Sequence, residues 1–174
     1  MGDVRVAVIV APNFKDETVS ALGLFLAKNG MVAEISGFSS KACRGCHGAT
    51  VRPEKAVADV DPASISAIVI ADGPGMDDLR LYDYRPLLNL LRALSERNRL
   101  IVGIGNGIKA IARANVIRDA NVARVDSDVA NLVRLYHGTI TDDYLVLDKN
   151  ILTLSDSNRI DELVARMAKE LGTL

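Results

Sequence analysis

The stretch Leu100-Ile-Val-Gly-Ile-Gly-Asn-Gly-Ile-Lys-Ala110 decides the fold class. Its first five residues form a continuous apolar run, which is typical of a buried parallel strand. A turn rich in glycine follows, and a helical pattern begins at Ile108. A strand, a sharp turn and a helix make the geometry of a nucleophile elbow, which holds a reactive side chain above the sheet. The residue at the apex is Gly105, so we expect no nucleophile at that position.

Buried strands and amphipathic helices alternate on both sides of this stretch. Apolar runs predict four further strands, at residues 4–10, 31–36, 65–71 and 121–125. Helical spacing predicts helices at residues 16–29, 87–97, 108–114 and 159–171. Residues 142–147 and 150–154 flank a turn at Asp148-Lys149 and predict a C-terminal β-hairpin. This order predicts an α/β protein, with one domain over residues 1–174 and a doubly wound, mostly parallel sheet in a three-layer, flavodoxin-like arrangement.

Composition limits the class of partner. Of the 174 residues 49% are hydrophobic and only 4% are aromatic, so a stacking platform for nucleic-acid bases is not expected. The net charge of −1, with both signs interspersed, argues against nucleic-acid or anionic-membrane partners. No apolar run approaches a membrane span, and no signal-peptide pattern precedes the first strand. We therefore expect a cytoplasmic protein with reduced thiols.

Three loops are expected to meet at one edge of the sheet. Ligands of doubly wound sheets bind beyond the C-terminal ends of the strands. In this chain residues 13–17, 72–76 and 105–107 follow such strand ends. These loops therefore contain the candidate ligand-binding residues.

Motifs in these loops resemble the ThiJ/PfpI superfamily, which includes the parkinsonism-associated deglycase and the PfpI-type proteins. The first motif is Val-x-Val-Ile-Val-x-Pro-x-Phe-x-Asp-Glu at 6–17, and the second is Cys-His-Gly-Ala-x-Val at 46–51. The third is Ile-Val-Ile-x-Asp-Gly-Pro-Gly-Met at 68–76, and residues 145–153 are similar to the family's C-terminal hairpin. The resemblance implies the class I glutamine-amidotransferase-like fold over nearly the whole chain, and self-association as a dimer or larger oligomer.

The same resemblance implies site residues. Family members typically carry a cysteine at the elbow, contacted by a glutamate from the first loop. Matched residue by residue, Glu17 is the glutamate, Gly105 stands in place of the cysteine, and Asn106 in place of the adjacent histidine. Asp72 replaces the first glycine of a Gly-Gly turn whose amides resemble an oxyanion hole, and Gly73 matches the second glycine. The fold is thus recognisable while the reactive centre is not.

Glycine at the apex has a physical interpretation. An elbow residue usually takes a positive φ, which costs other residues about 1–3 kcal/mol and glycine little. Loss of the nucleophile at Gly105 would relieve that strain and keep the turn. Glu17 would then either remain a pocket carboxylate or interact with the dipole of its own helix.

The segment Cys43-Arg-Gly-Cys46-His47 allows several interpretations. It matches the c-type haem attachment pattern, but haem attachment occurs in exported proteins. Cys43, Cys46 and His47 could bind zinc, although a fourth ligand is missing nearby, since His137 is the only other histidine. Thioredoxin-like redox chemistry needs this pattern at a helix N-terminus, whereas residues 39–49 are predicted as a loop or short hairpin. Two structural thiols, with no metal and no cofactor, are the favoured interpretation.

Two other motifs resemble known functional patterns. The pattern from Gly105 to Ala110, with Asp126 about twenty residues on, satisfies a dinucleotide fingerprint. That fingerprint normally belongs to the first strand–helix unit, which this one is not. No serine triad is evident, because Ser155-Asp156-Ser157 resembles a cap for the last helix and His137 a surface turn.

Two functions follow. The first is a non-catalytic or catalytically altered family member that binds a small metabolite or protein partner at Glu17, Asp72, Gly73, Gly105 and Asn106. The second is a family-type hydrolase, or an enzyme acting on aldehydes or glycated groups, with Glu17 as base. A redox or metal role of Cys43 and Cys46 is a lesser alternative.

Overall fold

Seven strands form the central sheet of the protein, for which a computed structural model describes residues 3–173. Residues 1, 2 and 174, which the single-domain prediction also covers, lie outside the described range. The strands of this sheet are β1 (Val4–Ile9), β2 (Met31–Gly37), β5 (Lys55–Ala56), β6 (Ala67–Ile70), β7 (Leu100–Ile104), β10 (Leu145–Asp148) and β11 (Ile151–Leu154). Two small sheets pair β3 (Cys43–Arg44) with β4 (Thr50–Val51), and β8 (Asn121–Val122) with β9 (Thr139–Ile140).

The strand order confirms the predicted fold class. The order across the sheet is β10-β11-β7-β6-β1-β2-β5. All neighbouring strands run parallel except β10 and β11, which form the predicted C-terminal hairpin. The central order β2-β1-β6-β7-β11 is the flavodoxin-like arrangement, in which the winding reverses between β1 and β6. The loops that follow β1 and β6 therefore part at this point, and the loop after β7 lies beside them.

Helices cover both faces of the sheet. They are α1 (Asp16–Lys28), α2 (Pro74–Asp78), α3 (Arg85–Glu96), α4 (Ile108–Arg113), α5 (Ser127–Leu135) and α6 (Ile160–Leu171). The apolar residues of α1 and α6 pack in one core cluster with alternate residues of β1, and those of α3, α4 and α5 pack in a second cluster with the other residues of β1. This alternation is what a strand covered on both faces requires. Among residues 3–173, no helix has the length and apolarity needed to span a bilayer.

Two local predictions are corrected. The strand predicted at 121–125 is only two residues long, because the amide of Ala123 donates to Oγ1 of Thr153 at 2.8 Å instead of to a neighbouring strand. The hairpin turn lies one residue later than predicted, at Lys149-Asn150. The reason is that Asp148 still pairs with Ile151 in the ladder.

Candidate functional site

The chain bends sharply between β7 and α4. Ile104 ends the strand, a 3-10 turn spans Gly105–Gly107, and Ile108 begins the helix. Gly105 has a φ of +53°, in the left-handed region that glycine adopts at little cost. The predicted bend and its positive φ are therefore both present.

The carboxylate of Asp72 lies in the space beside this bend. A Cβ atom built on Gly105 would lie 3.2 Å from Cβ of Asp72 and 3.5 Å from its Oδ2. Thr18, on the inward face of α1, donates from Oγ1 to Oδ1 of Asp72 at 2.6 Å. Nζ of Lys15 lies 3.8 Å from Oδ2, and the Asp72 side chain is 11% exposed. The loops after β1, β6 and β7 thus meet at this one carboxylate.

Burial dominates the electrostatics of this carboxylate. Desolvation raises the pKa of Asp72, and the charge of Asp156 acts in the same direction. The hydrogen bond from Thr18 and the positive charge of Lys15 oppose this effect without cancelling it. A carboxyl group with a raised pKa in a loop cluster is a common feature of functional sites.

The loop after β11 forms the fourth side of the site. Ser157 accepts a hydrogen bond from Nζ of Lys15 at 2.6 Å. The carbonyl oxygen of Ser155 would lie 3.7 Å from a Cβ atom at Gly105. The hydroxyl oxygen of Ser155 is buried, and no described residue hydrogen-bonds to it. Asp156 accepts from the amide of Asn158 and caps the 3-10 turn Ser157–Arg159, which leads into α6. The predicted cap therefore acts on this turn, since the N-cap residue of α6 itself, Arg159, makes no side-chain capping bond.

Asn106 joins the loop after β7 to the loop after β6. Its Oδ1 accepts from the amide of Gly73 at 3.0 Å, and its Nδ2 donates to the carbonyl of Gly73 at 2.7 Å. The same Nδ2 lies 3.2 Å from Oδ2 of Asp77, whose other oxygen accepts from Nζ of Lys109 at 2.6 Å. The amide that the family resemblance implies for an oxyanion hole is therefore already bonded within the protein.

The structure brings together four of the five predicted ligand-binding residues, namely Asp72, Gly73, Gly105 and Asn106. Glu17 lies elsewhere: its side chain is 56% exposed and its Oε1 contacts Nδ1 of His47 at 2.5 Å. Thr18, one residue later, occupies the inward position. We therefore correct the placement of Glu17 in the pocket.

The sequence analysis did not single out Thr18, Lys15 or Ser157 as site residues, although Lys15 lies in the predicted loop at 13–17. The signal for Thr18 is its helical spacing with Leu22 and Leu26, which are both fully buried on α1. Residues four apart share one face of a helix, and Glu17 falls off this face. No comparable pattern marks Lys15 or Ser157.

The cysteine segment forms the hairpin of β3 and β4, one of the two predicted alternatives for residues 39–49. Cys43 lies in β3, where it packs against apolar core residues and burial raises the pKa of its thiol. Cys46 and His47 occupy the exposed turn that follows. Both thiols are free. This segment is not a helix N-terminus, so it lacks the setting of a thioredoxin-like pair.

The residues of the dinucleotide pattern have other contacts. The bend at Gly105 follows β7 and not the first strand, as expected from the sequence. Asp126 caps α5 by accepting from the amide of Val129 at 3.0 Å. His137 is exposed in a turn with a φ of +66°, in agreement with the predicted surface turn.

Comparison with known proteins decides the family. A model of the DJ-1/PfpI family matches residues 4–170 of the chain. The chain belongs to the DJ-1/PfpI family. The match covers all the loops described above.

Two individual relatives are each 26% identical to this chain. The "Putative cysteine protease YraA" of Bacillus subtilis is 26% identical over 171 residues, covering 98% of each chain. The protein MJ0967 of Methanocaldococcus jannaschii is 26% identical over 157 residues, which cover 88% of this chain and 75% of that protein.

Solved structures of the DJ-1/PfpI type share the fold. A ThiJ/PfpI domain protein from Brachyspira murdochii superposes with a TM-score of 0.91 and 20% identity, covering 99% of both chains. Drosophila melanogaster DJ-1beta gives a TM-score of 0.88 and 18% identity, covering 99% of this chain and 92% of that one.

Proposed function

We propose that this protein is a catalytically altered member of the DJ-1/PfpI family, which binds a small metabolite where its relatives carry an elbow thiol. The observation that carries the proposal is the position of Asp72, whose Oδ2 would lie 3.5 Å from a side chain at Gly105. A carboxylate side chain fills the space beside an apex that has no side chain. The site thus presents an acceptor for a ligand instead of a sulfur nucleophile.

The contacts of Asn106 support the same proposal. Acyl transfer through a thiol needs a free amide to stabilise the oxyanion. The amide of Gly73, which the resemblance assigns to that role, donates instead to Oδ1 of Asn106 at 3.0 Å. The substitution at Gly105 and the bonding of Gly73 both favour loss of thiol-based catalysis.

The charged groups suggest the chemical class of the ligand. Asp72 and Ser157 offer acceptors, and the Lys15 side chain, 37% exposed, offers a cation that reaches both of them. The hydroxyl oxygen of Ser155, two residues before Ser157, is buried and has no hydrogen-bond partner among residues 3–173. A small polar molecule with a hydrogen-bond donor for Asp72 and an anionic group for Lys15 would complement this arrangement. Free amino acids and hydroxy acids have both groups.

A second candidate function is family-type hydrolysis or aldehyde modification through a general base. Asp72 supports it better than Glu17, because burial raises the pKa of Asp72 while Glu17 is exposed and contacts His47. A carboxyl group of raised pKa in a loop cluster can exchange protons with a bound substrate.

One experiment separates these two functions. The protein is titrated with a panel of L-amino acids and 2-hydroxy acids while amide chemical shifts are followed by NMR. It is also assayed for turnover of methylglyoxal, glycated amines and peptides. We expect shifts centred on residues 72–73, 105–106 and 155–157 that Asp72→Asn and Lys15→Met abolish and Glu17→Gln preserves, with no turnover.

Three results would contradict the proposal in different ways. Turnover lost in Asp72→Asn would favour the base-catalysed function. Turnover lost in Glu17→Gln would favour the alternative from the sequence analysis, a family-type enzyme with Glu17 as base. Shifts that map away from the Gly105 bend would show that this bend is not the ligand site.

We also infer that the protein resides in the cytoplasm and self-associates. The location is supported by the composition, and the association by the family resemblance. Fractionation of expressing cells and light scattering of the purified protein test these two inferences.

A further inference from the structure

The turn between β3 and β4 is fixed on the first turn of α1. Oδ1 of Asp16 accepts from the amide of His47 at 3.1 Å, and Oδ2 accepts from the amide of Ala49 at 2.8 Å. The amide of Cys46 donates to the carbonyl of Phe14 at 2.9 Å. These bonds hold the turn and the helix start in a defined relative position.

This arrangement brings three metal-binding side chains together. The ligand atoms of Asp16, Cys46 and His47 all lie within 4.8 Å of one another. Tetrahedral zinc, with bonds of about 2.0–2.3 Å, requires its ligand atoms to be about 3.3–3.6 Å apart. Because Cys46 and His47 are exposed, small rotations of their side chains bring the ligand atoms to the spacing that zinc requires, without moving the core.

We propose that Asp16, Cys46 and His47 form a zinc site. A thiolate, an imidazole and a carboxylate are the three ligand types that zinc takes in proteins, whereas magnesium and calcium prefer oxygen ligands alone. Cys43, which the sequence pattern includes, is not part of the site, because it packs against the core from β3. Asp16 takes the place of Cys43 as the third protein ligand.

Neighbouring groups orient two of these ligands. The amides of His47 and Ala49 hold the Asp16 carboxylate against the turn that contains the other two ligands. Oε1 of Glu17 contacts Nδ1 of His47 at 2.5 Å. A carboxylate on one ring nitrogen orients an imidazole so that the other nitrogen can bind a metal.

The proposed site leaves one coordination position for water. Three protein ligands occupy three of the four tetrahedral positions. Binding displaces the thiol proton of Cys46 to the solvent, with no change in oxidation state. The zinc site is separate from the ligand site at Gly105 and does not depend on its function.

The test uses the metal-free protein, titrated with zinc and with cobalt(II) as a spectroscopic probe. We expect one equivalent of cobalt to give a thiolate-to-metal charge-transfer band together with the intense visible bands of a tetrahedral ion. Zinc should displace the cobalt. Bound zinc should also protect Cys46 from alkylation by iodoacetamide, as read by mass spectrometry of the peptides.

Matched variants locate the ligands. Cys46→Ser should remove the charge-transfer band, whereas Cys43→Ser should leave it unchanged. His47→Ala and Asp16→Asn should each weaken zinc binding by about tenfold or more, and Glu17→Gln by about tenfold. Circular dichroism of each variant checks that the fold is retained.

Several outcomes would overturn the zinc site. The first is the absence of stoichiometric binding to the wild-type protein. The second is a charge-transfer band that survives Cys46→Ser or disappears in Cys43→Ser. The third is unchanged affinity in both His47→Ala and Asp16→Asn.

Discussion

Asp72 and Gly105 are complementary in volume, because the side chain of Asp72 lies next to the space that a side chain at Gly105 would enter. A Cβ atom at Gly105 would lie 3.2 Å from Cβ of Asp72, closer than most such contacts in proteins. A side chain at Gly105 would therefore require a change at Asp72. The two positions are expected to be energetically coupled.

Gly105→Ala should lower the free energy of unfolding by about 1–3 kcal/mol, because it combines a positive φ with the contact to Asp72. In an Asp72→Gly background the same substitution should cost less. Asp72→Ala, which keeps the Cβ atom, is the matched control and should reduce the cost of Gly105→Ala only slightly. Urea unfolding of the single and double variants measures the coupling, and strict additivity of Gly105→Ala with Asp72→Gly would contradict it.

Asp72→Asn should stabilise the protein at neutral pH relative to the wild type. Burial raises the pKa of Asp72 in the folded state, so the folded protein holds this proton more tightly than the unfolded chain. The stability of the wild type therefore falls as the pH rises from the ordinary aspartate value, about 3.9, through the higher folded value. The advantage of the variant should shrink when unfolding is measured at about pH 4.

Asp78→Asn, at an exposed position on α2, controls for removal of a charge from this region. If the gain in the free energy of unfolding of Asp72→Asn is the same at both pH values, the protonation of Asp72 does not cause the pH dependence of stability.

Asn106→Ala should lower the free energy of unfolding by about 1–3 kcal/mol, because the amide of Gly73 loses its acceptor and the carbonyl of Gly73 keeps only the bond from the amide of Met76. The amide of Gly73 should exchange its hydrogen faster. Asn106→Asp keeps an acceptor for that amide but brings a negative charge to Asp77, so it should preserve protection while still losing stability. Unchanged exchange at Gly73 in Asn106→Ala would contradict the assigned bond.

Gly107→Ala should be more damaging than Gly105→Ala. Its Cβ atom would lie 2.4 Å from the carbonyl oxygen of Ile70 and 3.0 Å from that of Ala71, and backbone atoms at the end of β6 cannot rotate away. We expect a loss of about 3 kcal/mol or more, measured by urea unfolding. If Gly107→Ala costs no more than Gly105→Ala, the close approach of the elbow to β6 is wrong.

The fold was predictable because the apolar runs of the core strands indicate these strands directly. The continuous apolar run of 100–104 coincides with β7, and the alternation of strands and helices indicated the parallel sheet. β8 was overestimated, since the amide of Ala123 bonds to Thr153, a residue distant in the chain. The two-residue edge strand β5 is too short to leave a periodic pattern.

The candidate site was predictable only where backbone geometry determines it. Gly105, Asn106, Asp72 and Gly73 follow strand ends, and the topology brings these ends together. The position of Glu17 depends on the exact phase of α1, which a motif match does not determine. Asp16 meets Cys46 and His47 only because a hairpin folds back on a helix start thirty residues earlier, and no local spacing encodes that contact.

The hydrogen bonds of Asn106 to both backbone groups of Gly73 have a consequence for recognition. Since one side chain clamps the two loops, they present a rigid, pre-organised surface instead of closing over a guest. A ligand would then lose little affinity to the ordering of these loops. Selectivity among ligands at this edge of the sheet should accordingly depend on how well the shape and charges of each ligand fit this rigid surface.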